Sequence, residues 1–293
     1  MSETFPLATS LVPGRNLDVQ QAAVASWRTQ GFKIVSFNRA EEIGPLSQAF
    51  PDLEFHDPGR DAKDVTGKPL IYLADILAYF RASRSGPFGI VNADIVLDPE
   101  PGFAQRIKAE AQGSLVVATR VEVGDLAERT GKRNLWGFDA MFLDTGLASR
   151  FTDCGFCLGM PFWDYWMPMT AVLHQLPYKQ IKTDVAFHRQ HAEAWSDKRF
   201  LFSHMFVKFL QEEIVRAQAA RGAGAPEDPC FVFLQGFFSY YYGKIHARLL
   251  GRDTSDLAEN EKFHTAAQFA EFTDALNETT FMFMRRQARL IEI

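Results

Sequence analysis

The sequence predicts an α/β fold in which a mostly parallel sheet is flanked by helices, with a helical C-terminal extension. Short apolar segments typical of strands alternate with amphipathic segments typical of helices over the first two thirds of the chain. Polar side chains follow several of these strands, at the edge where open α/β sheets bind ligands. From about residue 198 the alternation gives way to long helical segments. We therefore predict two domains, residues 1–197 and residues 198–293.

The alternation begins close to the amino end. Asn16 is a candidate N-cap for the first helix, and Gly31 is placed to end it. Because strands separated by helices join through right-handed crossovers, the first four strands are expected to run parallel. The predicted strands cover residues 5–12, 32–37, 53–55, 89–97, 115–123, 135–143 and 178–181. The predicted helices cover residues 17–30, 41–50 (interrupted at Gly44-Pro45), 69–82, 102–112, 159–174, 200–219, 231–250 and 255–291.

The fourth predicted strand has two polar residues inside an apolar run. Residues 89–97 read Gly-Ile-Val-Asn-Ala-Asp-Ile-Val-Leu, with Asn92 and Asp94 near the middle. A carboxylate within a buried strand is unfavourable unless something pairs with it. In an extended backbone the two side chains point to the same side. This pattern predicts that Asp94 binds a metal or a polar ligand; the alternative is that both residues belong to a turn at the strand end.

Composition and charge exclude several classes of protein. The chain has 31 basic and 36 acidic residues, for a net charge of −5, and no basic stripe typical of a nucleic-acid binder. The first residues lack a secretory signal pattern, and the apolar run at residues 230–243 is too short to span a membrane. Three cysteines, an odd number, are typical of a reducing compartment. We expect a cytoplasmic protein without a transmembrane segment or a nucleic-acid partner.

The segment Asn92-Ala93-Asp94, which follows two complete strand–helix units, resembles the Asp-x-Asp site of GT-A glycosyltransferases. The resemblance implies a GT-A-like (Rossmann-like) sheet and a carboxylate that holds Mg²⁺ or Mn²⁺ against the diphosphate of a nucleotide-sugar. A hard cation prefers oxygen ligands and neutralises the charge that grows on a diphosphate leaving group. Asn92 stands where the family usually has its first Asp, and an amide ligates a cation more weakly.

The first two strands also resemble the nucleotide-binding start of such enzymes. The resemblance assigns Thr9, Ser10 and Arg15 to the loop after the first strand, and Asn38 and Arg39 to the loop after the second. Arg15 is able to pair with phosphate through two parallel hydrogen bonds. The alternative for both arginines is a solvated surface position.

The aromatic segment Pro161-Phe-Trp-Asp-Tyr-Trp166 contains a second candidate carboxylate, Asp164. An Asp at a helix start either stabilises the helix N-terminus or serves as a general base. In inverting GT-A enzymes a carboxylate near this place deprotonates the acceptor hydroxyl, so the resemblance assigns that role to Asp164 and a sugar-stacking role to Trp163. The alternative is a capped helix with core aromatics. Asp139 is a weaker candidate contact to the donor sugar or the acceptor.

His188 and His191 are candidate metal ligands. They lie three residues apart and share a face if the segment is helical. A late histidine often completes the metal site in GT-A enzymes, with Asp94 as its partner here; the alternative is loop histidines without a ligand. Cys154 and Cys157 form a Cys-x-x-Cys pair, which we interpret as packing cysteines because two further zinc ligands of that type are missing.

Together these patterns predict a metal-assisted, inverting glycosyltransferase that moves a sugar from a nucleoside-diphosphate sugar to an acceptor hydroxyl. One alternative is a nucleotidyltransferase, for which Val12-Pro13-Gly14-Arg15 would be a reduced phosphate-binding loop. Another is a binding protein that kept the fold without catalysis, which Asn92 favours. The Phe- and Tyr-rich segment 231–242 is apolar on nearly all sides. It is predicted to pack on the catalytic domain or to join two copies of the chain.

Overall fold

The computed structural model of the protein describes residues 5–83, 86–191, 195, 199–222, 232, 234, 236 and 259–293. Two compact units divide the chain. The first comprises Met1–Glu193 and Met284–Ile293, and the second comprises Ala194–Phe283. The aromatic segment 231–242, for which we predict packing or self-association, lies almost wholly outside the described residues. The domain boundary at residues 197 and 198 stays a prediction.

The first unit contains a ten-stranded sheet with helices between its strands. Its strands are β1 (Phe5–Thr9), β2 (Phe32–Phe37), β3 (Glu54–His56), β4 (Pro87–Val91), β5 (Ile95–Leu97), β6 (Leu115–Val123), β7 (Gly131–Asp144), β8 (Tyr178–Ile181), β9 (Ala186–Arg189) and β10 (Arg289–Ile291). Its helices are α1 (Leu17–Thr29), α2 (Ala40–Ala49), α3 (Lys63–Thr66), α4 (Leu73–Ser83), α5 (Phe103–Glu110), α6 (Thr145–Ala148) and α7 (Trp163–Leu173).

The sheet is mostly parallel, which confirms the predicted fold class. Its main order is β10-β8-β6-β7-β4-β1-β2-β3, and β1, β2, β3 and β4 pair in parallel, as the alternation with helices predicts. β7 runs antiparallel to both β4 and β6. β5 and β9 pair with each other beside this path, and β9 also pairs with β6. The carboxyl ends of β1, β2 and β4 therefore meet at one edge.

Apolar side chains from the strands and from α1, α4 and α5 form the core of the first unit. Trp27 on α1 is fully buried, and its indole N–H donates to the Ile95 carbonyl at 2.9 Å. That bond ties α1 to β5, directly after the turn that carries Asp94. Gly89 on β4 has no room for a side chain, because an added Cβ would lie 2.5 Å from a Leu7 methyl group.

Several of the predicted element boundaries differ from those in the structure. Helix α2 runs through Pro45, so the predicted interruption is absent. Helix α4 begins at Leu73, and Pro69 lies before it. Asn16 has a left-handed backbone and its side chain makes no capping bond to α1. Residues 131–134, which precede the predicted strand 135–143, belong to β7, and His188, which lies outside the predicted strands, is on β9.

The second unit is helical in its described residues. It contains α8 (Arg199–Arg221), and α9 (Glu259–Gln287) begins in it. The hydroxyl groups of Ser203 and Thr273 lie 3.3 Å apart and join the two helices. The predicted final helix over residues 255–291 is too long, because residues 289–291 form β10, which pairs with β8. Among the described residues, no helix combines the length and the apolar character needed to cross a membrane.

Candidate metal centre and carboxylate cluster

The chain turns sharply between β4 and β5, and this turn carries Asn92 and Asp94. The sequence pattern left open whether these residues serve a ligand or only a turn. In the structure they lie in a turn, and they also face other polar side chains. The Asp94 side chain is 34% exposed, so its carboxylate is accessible to a ligand.

Asp94, His188 and His191 come together at this turn. One ligand atom from each lies within 4.8 Å of the others. The Asp94 Oδ2 atom is 3.3 Å from His188 Nε2 and 3.6 Å from His191 Nε2. His188 is on β9, which pairs with β5, so the strand pairing brings a residue 94 positions away beside Asp94. The sequence analysis considered a helix for the two histidines, which is wrong because His188 lies on a strand. Both side chains nevertheless lie beside Asp94.

The protonation of this cluster follows from its contacts. Burial disfavours ionisation of Asp94, but hydrogen bonds to His188 and His191 outweigh burial and hold its pKa well below the usual range. Burial also disfavours the charged form of His188, yet Asp94 and Glu122 raise its pKa to about 9. A cation that binds the His188 nitrogen must therefore displace a proton at neutral pH.

Arg120 links the metal cluster to two further carboxylates. Its guanidinium donates to Glu122 Oε1 at 2.6 Å and to Asp139 Oδ2 at 2.5 Å. Asp139 also accepts a bond from the Asn92 side-chain amide at 2.7 Å. The predicted candidate Asp139 is thus held beside Asn92, and its carboxylate, only 4% exposed, is paired with an arginine.

Asp164 lies in the first turn of α7 and is 8% exposed. Its Oδ2 atom accepts the backbone N–H of Phe138 at 2.8 Å. Burial, reinforced by the nearby Asp139 charge, raises the pKa of Asp164 well above its usual range. The hydrogen bond from the Phe138 N–H and the charge of Arg120 oppose this shift without cancelling it. A carboxyl group with such a pKa exchanges a proton near neutral pH, as a general base requires.

A bulge in β7 brings Gly137 against these carboxylates. Four residues of β7, 134–137, lie opposite the single residue Arg120 of β6. A Cβ added at Gly137 would lie 3.1 Å from Asp164 Oδ2, 3.3 Å from Arg120 Nη1 and 3.4 Å from Asp139 Oδ2. The two acidic oxygens and the guanidinium therefore surround one point, which a larger residue would disturb.

We expect Gly137→Ala to impair activity more than stability. Displacing Asp164 by a few tenths of an ångström should lower turnover by about 10-fold or more, because reacting groups need close alignment. The unfolding free energy should fall by about 1 kcal/mol through crowding. Turnover and urea denaturation measure the two effects. Gly124→Ala, where an added Cβ meets nothing within 4 Å, is the matched control. Equal effects of the two variants would contradict the prediction.

The residues predicted from the first two strands lie at the same edge but are largely engaged with the protein. Asn38 is fully buried and donates to the Leu11 carbonyl at 2.7 Å. Arg39 pairs with Asp57 and, at 3.3 Å, with Asp61. Thr9 is also fully buried, and its hydroxyl has no hydrogen-bond partner among the described residues. These contacts make Asn38 and Arg39 structural elements of this edge, and their predicted ligand roles stay untested.

Two of the predicted positions around this edge are open to solvent. Ser10 is half-buried directly after β1, and Arg15 is exposed in the following loop. The Gln20 side chain fixes that loop by bonding to the backbone of Val12 and Arg15. The loop is therefore ordered while the Arg15 side chain reaches solvent.

The aromatic residues are arranged differently from the sequence prediction. Trp163 is only 3% exposed, so its ring offers no open face for the predicted stacking on a sugar. Trp136, next in sequence to Gly137, is 48% exposed.

Cys154 and Cys157 are free cysteines, and the Cys157 backbone N–H donates to the Met160 sulfur. Burial raises the pKa of the Cys157 thiol to about 12, in agreement with a packing role.

Sequence reasoning missed Arg120, Glu122 and Gly137. The signal for the first two was present, since charged residues alternate with valines at the end of the segment 115–123. That alternation is equally typical of a strand with one solvated face. Only the pairing of β6 with β7 and β9 reveals that these charges face Asp139 and His188.

Comparison with known proteins leaves the family open. No protein-family model and no curated protein matches the chain. Solved structures resemble it weakly. A mannose-1-phosphate geranyltransferase from Thermus thermophilus shares 10% identity at a TM-score of 0.34, over 64% of this chain and 74% of that one.

Two further structures give similar values. A putative glucose-1-phosphate thymidylyltransferase from Bacillus anthracis shares 9% identity at a TM-score of 0.36, over 78% of this chain and 98% of that one. A 4-diphosphocytidyl-2C-methyl-D-erythritolsynthase from Anaerococcus prevotii shares 13% identity at a TM-score of 0.35, over 75% of this chain and 99% of that one. None of the three proteins is named as a glycosyltransferase. The name of the thymidylyltransferase describes a nucleotidyltransferase, which is one of the alternatives considered from the sequence. At these identities and TM-scores the likeness assigns neither a family nor an activity to this chain.

Proposed function

We propose that the protein is a cation-dependent transferase that acts on a nucleotide through its diphosphate, with a nucleoside-diphosphate sugar as the donor. The observation that carries this proposal is the convergence of Asp94, His188 and His191 at the carboxyl edge of the sheet. Open α/β sheets bind nucleotides at that edge. Asp139, which is paired with Arg120, and the neighbouring carboxyl group of Asp164 provide groups for proton transfer.

The donor set fits a divalent cation. It combines one carboxylate with two imidazoles, and Mg²⁺ prefers oxygen ligands alone. Of the two cations predicted, Mn²⁺ is therefore favoured. A bound cation would supply neutralisation of the charge on a diphosphate leaving group. The protein's own part is to hold Asp94 ionised, to orient the two imidazoles and to keep Asp164 able to take a proton.

In sugar transfer, Asp164 is the general base. An acceptor hydroxyl oxygen forms a bond to the anomeric carbon while the bond from that carbon to the diphosphate oxygen breaks. Asp164 takes the hydroxyl proton, and the nucleoside diphosphate leaves with the bonding electrons. This assignment rests on the raised pKa of Asp164, which matches the requirement for a base near neutrality. Attack opposite the leaving group inverts the anomeric centre.

Nucleotidyl transfer is the second candidate, and the ordered loop after β1 favours it. Gly14 has a positive φ of 70°, Gln20 fixes the loop and the Arg15 side chain is exposed, which suits contact with a triphosphate. In this reaction a sugar-phosphate oxygen attacks the α-phosphorus of a nucleoside triphosphate, and pyrophosphate leaves. The attacking phosphate is already ionised, so Asp164 would not be needed as a base.

A thermal-shift screen tests the shared part of the proposal. We expect nucleoside diphosphates to raise the melting temperature in the presence of Mn²⁺, and much less without it, because a ligand that binds only the folded state stabilises it by mass action. Absence of any shift across nucleotides and cations would contradict the proposal. Product analysis then separates the two reactions: sugar transfer releases a nucleoside diphosphate, and nucleotidyl transfer releases pyrophosphate from a triphosphate.

A further inference from the structure

We propose that Glu122 is a positioning residue that holds His188 in the tautomer able to bind a cation. This inference rests on the metal-binding role proposed above, and it adds a residue that neither the sequence motifs nor the ligand cluster contains. Glu122 is not one of the three candidate ligand residues. It acts through the His188 ring, whose far nitrogen faces Asp94.

Strand pairing fixes the geometry of this contact. Glu122 on β6 and His188 on β9 are directly opposite partners in a parallel ladder. The Glu122 Oε2 atom lies 2.8 Å from His188 Nδ1. Because an ionised carboxylate only accepts hydrogen bonds, His188 must carry its proton on Nδ1. The lone pair of a neutral His188 ring is then on Nε2, 3.3 Å from Asp94.

The other oxygen of Glu122 is held just as firmly. Its Oε1 atom accepts from Arg120 Nε at 2.6 Å and from the Asn134 amide at 2.9 Å. The Arg120 charge favours the ionised carboxylate, and the two donors prevent it from rotating away. A carboxylate in this arrangement raises the basicity of a metal-binding imidazole and fixes its orientation.

Arg120 extends the same arrangement to the carboxylate side of the site. It bonds to Glu122 and Asp139 at once, so one side chain joins the support of His188 to the residue beside Asp164. A simple ion pair for stability would need only one of these contacts. When both ring nitrogens of His188 carry protons, one connected set of hydrogen bonds runs from Asp94 through His188, Glu122 and Arg120 to Asp139.

The test measures Mn²⁺ binding by the full-length protein without substrate. We expect Glu122→Ala to weaken Mn²⁺ binding by about 10- to 100-fold, the usual effect of removing a carboxylate behind a histidine ligand. Glu122→Gln keeps the size and an acceptor oxygen, so it should lose less. Glu54→Ala is the matched control, because Glu54 is also a strand carboxylate with an ion pair, to Lys33, and the change in net charge is the same. Its Mn²⁺ affinity should equal that of the wild type.

A spectroscopic measurement separates positioning from general stability. In the Zn²⁺-loaded wild type, nitrogen NMR should show His188 protonated on Nδ1 with that proton in a strong hydrogen bond. The Nδ1 proton signal should move upfield in Glu122→Gln. This variant keeps the size of the side chain, so it can be measured even if Glu122→Ala does not fold. If the wild type binds metal but the Glu122 variants show the same affinity and the same His188 signal, this inference alone is overturned. Failure of the wild type to bind either cation would overturn the metal-binding role as well.

Discussion

Asp94→Asn is expected to abolish the Mn²⁺-dependent rise in melting temperature and to lower turnover by at least about 100-fold. Loss of a direct metal ligand should weaken metal binding at least as much as loss of a carboxylate that supports a histidine ligand. The substitution keeps the size of the side chain but replaces the carboxylate of the cluster with a neutral amide. The two imidazoles would lose the anionic residue of the cluster, although His188 would keep its bond to Glu122. Calorimetric titration with Mn²⁺ and an assay of donor turnover measure the two effects.

Asp98→Asn provides the control for this prediction. Asp98 lies four residues further along the chain, pairs with Arg129 and is not part of the ligand cluster. It carries the same charge change with 51% side-chain exposure, so its Mn²⁺ affinity should match that of the wild type. If Asp94→Asn binds Mn²⁺ as tightly as Asp98→Asn, Asp94 is not a metal ligand and the proposed function loses its main support.

Asp164→Asn is expected to stabilise the protein at alkaline pH while lowering sugar transfer by about 10²- to 10⁴-fold, the usual contribution of a general base. The asparagine oxygen can still accept the Phe138 N–H, so the local structure is retained. What is lost is a buried negative charge beside Asp139. Gains in stability with losses in activity are typical of residues kept for function.

The pH dependence of this stabilisation has a definite sign. Burial and the Asp139 charge raise the folded-state pKa of Asp164 to about 7, above the unfolded value. Between about pH 4 and pH 7 the folded state therefore holds a proton that the unfolded state has lost, so the wild type becomes less stable as pH rises. The advantage of Asp164→Asn should be near zero at pH 4 and exceed about 1 kcal/mol at pH 8. Urea denaturation at both pH values measures it; a constant difference would contradict the prediction.

The sequence predicted most closely the elements whose signals are local. The strands 32–37, 115–123 and 178–181 have the predicted bounds, because each begins and ends with an apolar or aromatic residue and is flanked by glycine, proline or polar residues. Helix α2 shows the limit of such rules, since Pro45 is tolerated inside it. Only the second part of β7 was predicted, as the strand 135–143, because its polar first half lies opposite β6 and is stabilised by pairing that no local pattern records.

The candidate site was predicted in part for the same reason. Asp94 stood out because it interrupts an apolar run, and His188 and His191 because they are close in sequence. The roles of Arg120 and Glu122 depend on which strands lie side by side, and that is decided by register over separations of 19 and 66 residues. A single sequence gives the residue types, and the sheet order decides which of them meet.

The short strand β10 lies at the end of the sheet and covers the edge of β8. Residues 289–291 cover β8 along its outer edge, and the Lys182 N–H donates to the Ile291 carbonyl at 2.9 Å. A shortened form ending before residue 289 would leave the backbone groups of β8 without this partner. Unpaired strands of this kind recruit strands from other molecules, so such a form should be prone to self-association and precipitation.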